Sequence, residues 1–454
     1  LLPAQPIGSL ADYVDGGGGS GLARARTMSP GELVQEIQLS HLRGRGGAGF
    51  PTGTKWGSVL RGEGQTRYAV CNAAEGEPGT FKDRMLLRTI PYAALEGVLV
   101  ASHAVGAEAA YVATKASFTR EIARLQGALA EMVDAGWVDR PVHIVTGPEE
   151  YLFGEEKALL EVIEGNEPLP RWLPPYLHGL FASPQLGWDA RNASDQPFGA
   201  DGANPTLVNN VETLANVAFI VGRGAEWFRS IGTARSTGTV CCTVVGDVAK
   251  PGVVEVEFGT PLSEVLRRCG GPVGGRSVRA VLSGVSNPVI IADHLATPVS
   301  YEGFEGIGSG LGSAGFIVYD DTTCMVEVAA LLSRFLSVES CGQCPPCKLG
   351  TGAITDALGR IASGSGDDYD LSIIGERLRI VTDGNRCFLP VEEQRLISSL
   401  LTTFPEDFAA HLETGQCPRP RQLPVPKIVD IADGVVTYDD RQALKRPDWT
   451  YAEH

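Results

Sequence analysis

Hydrophobic spacing divides the chain into stretches of different period. Ser29-Pro30-Gly31-Glu32 has the form of a capping box with proline at the first helical position. Leu33, Val34 and Ile37 follow at helical spacing, which predicts a helix. Tyr68–Cys71 reads as a short buried strand, the alanine-rich residues 85–105 as a helix and Ala109–Ala113 as a strand. Residues 119–134 read as another helix and Val142–Val145 as another strand. Strands alternating with helices imply an α/β domain on a parallel sheet, with ligands expected just past the strand carboxyl ends. PTLVNNVETLANVAFIV (205–221) reads as a helix with polar residues at its start. Near Gly238 the period changes to alternation. TVCCTVVGDVAKPGVVEVEFGTPLSEVL turns at Lys250-Pro251-Gly252 and ends in a short helix, which suggests a small α+β domain up to about residue 323.

Residues 324–415 are again helical in period, interrupted by a cysteine triplet and by Gly364–Asp370. The divisions expected are a flexible, glycine-rich lead-in (1–28), an α/β domain (29–235), an α+β domain (236–323), a helical domain (324–415) and a tail (416–454). That tail, rich in proline and charge, is expected to wrap another surface, and residues 180–205 read as loop. The length of 454 residues suits two or three domains rather than one core.

Charge narrows the partners. A net charge of −16 without a Lys/Arg cluster gains nothing from phosphate counterion release, which excludes nucleic acid as main partner. It also argues against an anionic membrane surface. No apolar run is long enough to span a bilayer; the longest, Ala93–Val105, is cut by Glu96 and His103. No secretory signal is visible, and a segment before Leu1 stays open because the chain lacks an initial Met.

Ten cysteines are few for this length, and their distribution carries the signal. Cys341, Cys344 and Cys347 sit at C-x2-C-x2-C, and Cys387 follows 40 residues later. Three thiolates on one turn plus a distant fourth match the ligand set of a [4Fe–4S] cluster. A structural zinc site takes four cysteines too, though usually as two C-x2-C pairs. The other six cysteines show no paired spacing and read as small buried hydrophobes.

RGRGGAGFPTGTKW (43–56) satisfies G-x-G-x-x-G at Gly44, Gly46 and Gly49, but a helix precedes it where the dinucleotide fingerprint needs a strand. On its own the run is either a close-packed turn or an anion cradle, and Arg43, Arg45 and Lys55 tilt it toward a bound phosphate or a flavin edge. CNAAEGEPG places Asn72, Glu75 and Glu77 at a strand carboxyl end, where carboxylates act as acids or bases or are simply solvated. YLFGEEKALLE adds Tyr151, Gly154, Glu155 and Glu156, the last two at a helix start, where acidic groups also complement the dipole.

Together with PTLVNNVETLANV, KPGVVEV, TTCMVE and SCGQCPPCKLGTG, in this order, these segments resemble the flavoprotein subunit of respiratory complex I. That family includes the diaphorase subunits of NAD-linked hydrogenases and formate dehydrogenases. The resemblance spans about residues 30–415. It implies a Rossmann-like FMN domain, a β-grasp (soluble-ligand-binding) domain and a helical bundle holding [4Fe–4S]. Carried over by motif, the FMN contacts are Gly44, Gly46, Lys55, Asn72, Glu75, Tyr151, Gly154, Glu155, Asn209, Asn210 and Thr213. Phe50, Glu77 and Glu156 frame the nicotinamide nucleotide, Glu77 and Glu156 being the catalytic candidates. The cluster ligands are Cys341, Cys344, Cys347 and Cys387.

The sequence departs from the family pattern around the nucleotide. Ala74 replaces a carboxylate, Ser58 an aromatic, Leu173 a lysine, Tyr176 a phenylalanine and Lys157 a threonine. A lost aromatic platform costs roughly 0.5–1.5 kcal/mol, and a lost charged donor about 1.5–3 kcal/mol. Trp172 is placed to restore stacking and Lys157 charge.

The resemblance therefore implies an NADH dehydrogenase or diaphorase-type electron-transfer subunit, moving electrons between NAD(H) and an iron–sulfur chain through FMN and one cluster. The alternative is a subunit that has lost NADH binding and exchanges electrons with a protein such as ferredoxin. A third possibility is a degenerate scaffold whose β-grasp domain binds a partner. Expected partners are other Fe–S subunits, by resemblance a [2Fe–2S] thioredoxin-like protein. The expected location is cytoplasmic, free or peripheral on a membrane complex.

Overall fold

The computed structural model describes residues 1–62, 64, 66–182 and 202–452; most of the 180–205 stretch read as loop lies outside them. Its first layer is a parallel sheet of β1 (Tyr68–Ala73), β2 (Ala109–Lys115), β3 (Val142–Gly147) and β4 (Thr206–Asn210), ordered β3-β2-β1-β4. Buried Ala, Val and Cys side chains on β1 and β2 fit strands covered on both faces. The helices Pro91–Val105 and Val211–Arg223 cross so closely that a Cβ on Gly97 would stand 1.9 Å from the Leu214 carbonyl oxygen. Only glycine permits that approach.

Three expectations are corrected here. The helix read over 85–105 is two, Lys82–Thr89 and Pro91–Val105, bent by 99°. Pro91 lacks an amide hydrogen and drives Ile90 out of the helical region, to φ −144°. The start of 205–221 is strand β4, not helix; the run leaves the sheet at Asn210, whose side chain caps the helix Val211–Arg223. The glycine-rich lead-in contains two helices, Leu10–Asp15 and Ser20–Ala25, packed on the core. Buried Glu96 explains it: its carboxylate accepts from the Tyr13 hydroxyl at 2.7 Å and from the amides of Gly19 and Leu22 at 2.8 and 2.7 Å.

A second, mixed sheet has the order β6-β5-β9-β7-β8. Its strands are β5 (Thr239–Gly246), β6 (Gly252–Glu257), β7 (Val278–Ser283), β8 (Ile290–Ile291) and β9 (Gly315–Asp320). β5 and β9 run parallel and the other pairs antiparallel. The helices Met325–Glu339, Pro345–Ala362, Asp368–Ile380, Leu389–Thr403 and Pro405–Thr414 form a bundle around Leu332, Leu336, Ile354 and Leu396. The surface that the tail wraps is the chain's own. A hairpin of β10 (Ile428–Ala432) and β11 (Val435–Tyr438) takes Arg84 on its backbone, and buried Lys445 pairs with buried Glu339 at 2.9 Å. Among the described residues no single helix is long and apolar enough to cross a membrane.

Candidate functional site

At the carboxyl ends of β1 and β4 lies a cleft of about 1380 Å³. Gly44, Gly46, Phe50, Lys55, Asn72, Glu75, Glu77, Tyr151, Gly154, Glu155, Glu156, Asn209, Asn210 and Thr213 all line it. Its capacity exceeds the roughly 300–1,000 Å³ of a pocket for one small ligand, leaving room for two.

The glycine run forms its floor. Gly44 N donates to Phe50 O at 2.9 Å, closing a loop that passes through positive φ at Gly47 and Gly49. A Cβ on Gly46 would sit 3.2 Å from Asn210 Cβ, so the bare backbone lets the loop lie against the end of β4. The helix Thr52–Arg61 then carries Lys55 to the cleft, while buried Trp56 fixes the Asn209 amide oxygen at 2.8 Å. The three basic residues do not act together. Arg45 turns into the core and donates to the carbonyls of Arg43 and Thr237 at 2.8 and 3.0 Å. Arg43 lies over the Tyr301 ring at 3.8 Å. Arg43 and Lys55 both line the cleft, and Lys55 pairs there with Glu156.

The CNAAEGEPG carboxylates are held rather than solvated. Glu75 accepts from Asp83 N and Arg84 Nε, both at 3.1 Å, and burial with Asp83 beside it raises its pKa. Glu77 accepts from Ser286 Oγ at 2.9 Å, Val285 N at 3.2 Å and Ser313 Oγ, all from the second domain, and burial raises its pKa as well. Asn72 donates to Gly154 O at 2.7 Å, joining β1 to the YLFGEE turn. There Glu155 caps the helix Glu156–Ile163 through the amides of Lys157 and Ala158, and burial pushes its carboxyl up to about 7. Lys157 donates to the Arg386 carbonyl beside Cys387. Trp172, Tyr176, Phe50 and Phe388 are exposed aromatics that all line the cleft.

Next to the cleft, Cys341, Cys344, Cys347 and Cys387 line one small pocket with Leu152, Ser340 and Leu389. Positive φ at Gly342 turns the triplet, and Arg386 Nη1 ties the fourth cysteine's loop to Gln343 Oε1 at 2.5 Å. All four are free thiols. The donor set suits a cluster better than a lone ion. Four thiols, three on one turn and the fourth from a separate loop, fit iron–sulfur ligation. Leu152, Cys387 and Leu389 line both the pocket and the cleft.

Sequence reading missed several residues of the cleft wall. Tyr301 donates to Gly44 O at 2.7 Å, and Glu392 accepts from the Tyr151 hydroxyl at 2.9 Å. Asp83 accepts from Asn210 Nδ2 at 2.6 Å and pairs with buried Lys82 at 2.8 Å. The FKDR segment offered a signal for Lys82 and Asp83; Tyr301 and Glu392 stand in no motif.

Comparison with known proteins gives three family matches. Residues 37–219 match the Nuo51 FMN-binding domain, residues 242–282 the SLBB domain, and residues 327–411 the NADH-ubiquinone oxidoreductase-F iron–sulfur binding region. A second F-type subunit of the NADH-quinone oxidoreductase of Rhizobium meliloti is 39% identical over 90% of this chain and 96% of its own length. The HndC subunit of an NADP-reducing hydrogenase of Solidesulfovibrio fructosivorans is 35% identical over 90% of this chain and 82% of its own. Among solved structures, a chain of an NAD+-reducing [NiFe]-hydrogenase in the H2-reduced state matches with TM-score 0.76 and 32% identity, over 90% of this chain and 68% of that one.

Proposed function

The chain belongs to the flavoprotein family of F-type subunits of NADH-quinone oxidoreductase, and from that premise we propose how its residues divide an electron-transfer task. It is an FMN- and [4Fe–4S]-binding oxidoreductase subunit that moves electrons between NAD(H) and an iron–sulfur chain. Bound flavin takes two electrons as hydride and passes them on singly, which a one-electron cluster requires.

The cleft floor would hold FMN: the bare backbone of Gly44 and Gly46, the amides of Asn72, Asn209 and Asn210, the Thr213 hydroxyl and the Gly154 turn offer the donors and acceptors that a ring edge, ribityl chain and phosphate need. Phe50, Trp172 and Tyr176 would offer their faces to the dinucleotide. Glu156 would lie beside it with its charge balanced by Lys55, whereas Glu77, held by three donors of the second domain, would position the CNAAEGEPG loop rather than exchange protons with solvent. Cys341, Cys344, Cys347 and Cys387 would hold the cluster. The observation that carries this reading is the wall of Leu152, Cys387 and Leu389 shared by cleft and pocket. The exposed aromatics of the cleft favour retained nucleotide binding over its loss, despite Ala74, Ser58 and Leu173.

Electrons need an exit beyond one cluster, and a second Fe–S subunit, of the [2Fe–2S] thioredoxin-like or ferredoxin kind, would supply it. Such a complex would face the cytoplasm, at the periphery of a membrane assembly or free of it. Rapid anaerobic mixing of the holoprotein with NADH tests the reading. Flavin absorbance is expected to bleach and a reduced-cluster EPR signal to follow. Flavin that stays oxidised at millimolar NADH while reduced ferredoxin bleaches it would transfer the role to the protein-donor alternative.

A further inference from the structure

Cys324, His411 and Cys417 form a second cluster of ligand atoms, none of which lines the cleft or the four-cysteine pocket. Their ligand atoms all lie within 4.8 Å of one another, with Cys324 Sγ 3.3 Å from His411 Nε2. Across a tetrahedral zinc ion a sulfur and an imidazole nitrogen stand about 3.6 Å apart, so closure around an ion needs only small movements of the three side chains.

Three elements deliver these groups. Cys324 is the N-cap of the helix Met325–Glu339. Its thiol is buried, and an arriving cation would displace its proton on binding. His411 stands in the last turn of the helix Pro405–Thr414, and Cys417 follows just past the left-handed Gly415 that ends it. The imidazole is already oriented. Its Nδ1 lies 3.1 Å from the Ile361 carbonyl oxygen, which can only accept, so the hydrogen sits on Nδ1 and the Nε2 lone pair faces the two sulfurs. A ring hydrogen bonded to a backbone carbonyl is the usual second contact of a metal-bound histidine. Asp407, near Cys324, is occupied by Arg279 and Arg419 at 2.7 and 2.9 Å and stays out of the set. Two of the three side chains are buried and Cys417 is half-buried, so the open side of the set faces outward.

We propose that Cys324, His411 and Cys417 bind a divalent ion of the zinc class, with the fourth position taken by water. Two thiolates and an imidazole select such a borderline-soft ion over magnesium or calcium. Bound there, it fastens the start of the bundle's first helix, the end of its last helix and the root of the tail at one point. The proposal is independent of the electron-transfer reading.

Metal analysis of the untagged holoprotein tests it. One zinc per chain is expected beside the iron, retained in Cys269→Ser and lost in both Cys417→Ser and His411→Gln while flavin and iron contents stay unchanged. After chelation and cobalt(II) addition, the wild-type protein is expected to show a thiolate-to-cobalt charge-transfer band; this measurement stands alone if the variants do not fold. A wild-type protein with neither zinc nor that band, a Cys324–Cys417 disulfide in non-reducing mass spectrometry, or zinc held equally by folded variants would each overturn the site.

Discussion

The Tyr151 hydroxyl donates to Glu392 at 2.9 Å while the Tyr151 amide donates to Glu339 at 2.9 Å, so one residue at the lip of the cleft is gripped by two helices of the bundle. Burial, with Glu77 nearby, pushes the Glu392 carboxyl up to about 8 from an ordinary 4.5. Between those values the folded protein binds the extra proton, so stability falls as pH rises from about 4.5 to about 8. Glu392→Gln is expected to flatten the dependence of Tm on pH over that window by at most one proton, about 1.4 kcal/mol per pH unit. Thermal scans across the window check it, and a variant with an unchanged profile would count against the assignment.

Removing the Tyr301 hydroxyl leaves Gly44 O without its donor from the second domain. Tyr301→Phe keeps the ring beneath Arg43 and loses about 0.5–1.5 kcal/mol of coupling between the domains. Flavin affinity is expected to fall several-fold in a fluorescence titration of the deflavinated protein, with iron content unchanged.

Trp172 is 49% exposed in the cleft wall, with the Arg386 guanidinium 5.4 Å from its ring centre. Trp172→Ala is expected to raise the NADH KM by about 2- to 12-fold, the equivalent of roughly 0.5–1.5 kcal/mol of stacking, and to leave kcat unchanged. Steady-state assays with an artificial acceptor separate the two constants; a fall in kcat at unchanged KM would contradict a stacking role.

Gly97→Ala pushes a methyl group into the Leu214 carbonyl at a site where backbone cannot yield cheaply. A loss of about 1–3 kcal/mol is expected in denaturant unfolding, since the helices Pro91–Val105 and Val211–Arg223 must move apart. Unaltered stability would mean that the two helices tolerate a wider crossing.

The chemistry of the chain was legible where one short segment supplies several groups at once. Cys341, Cys344 and Cys347 declare themselves by spacing, and the glycine run by density. Secondary structure was legible where one period governs a whole element, as in the helix Thr119–Asp134. It failed at Thr206–Asn210, because a buried strand and a buried helix both read as apolar runs and only the turn at Asn210 separates them. The lead-in reads as mobile because its order comes from Glu96, a carboxylate 74 to 83 residues away. Tyr301, Glu392 and the Cys324–His411–Cys417 set are lone residues brought together by packing between distant segments, and no local pattern announces such meetings. Arg45 shows the converse: a cation beside glycines suggests an anion, yet its guanidinium donates to the carbonyls of Arg43, Thr237 and Thr239.

The pairing of Lys445 with Glu339 has a consequence for biogenesis. Glu339 steadies the Tyr151 amide, and its buried charge is balanced by a lysine that leaves the ribosome about three hundred residues after Tyr151. The lip of the cleft at Tyr151 therefore reaches its native packing only together with a segment made much later, because burying Glu339 without its cation is costly.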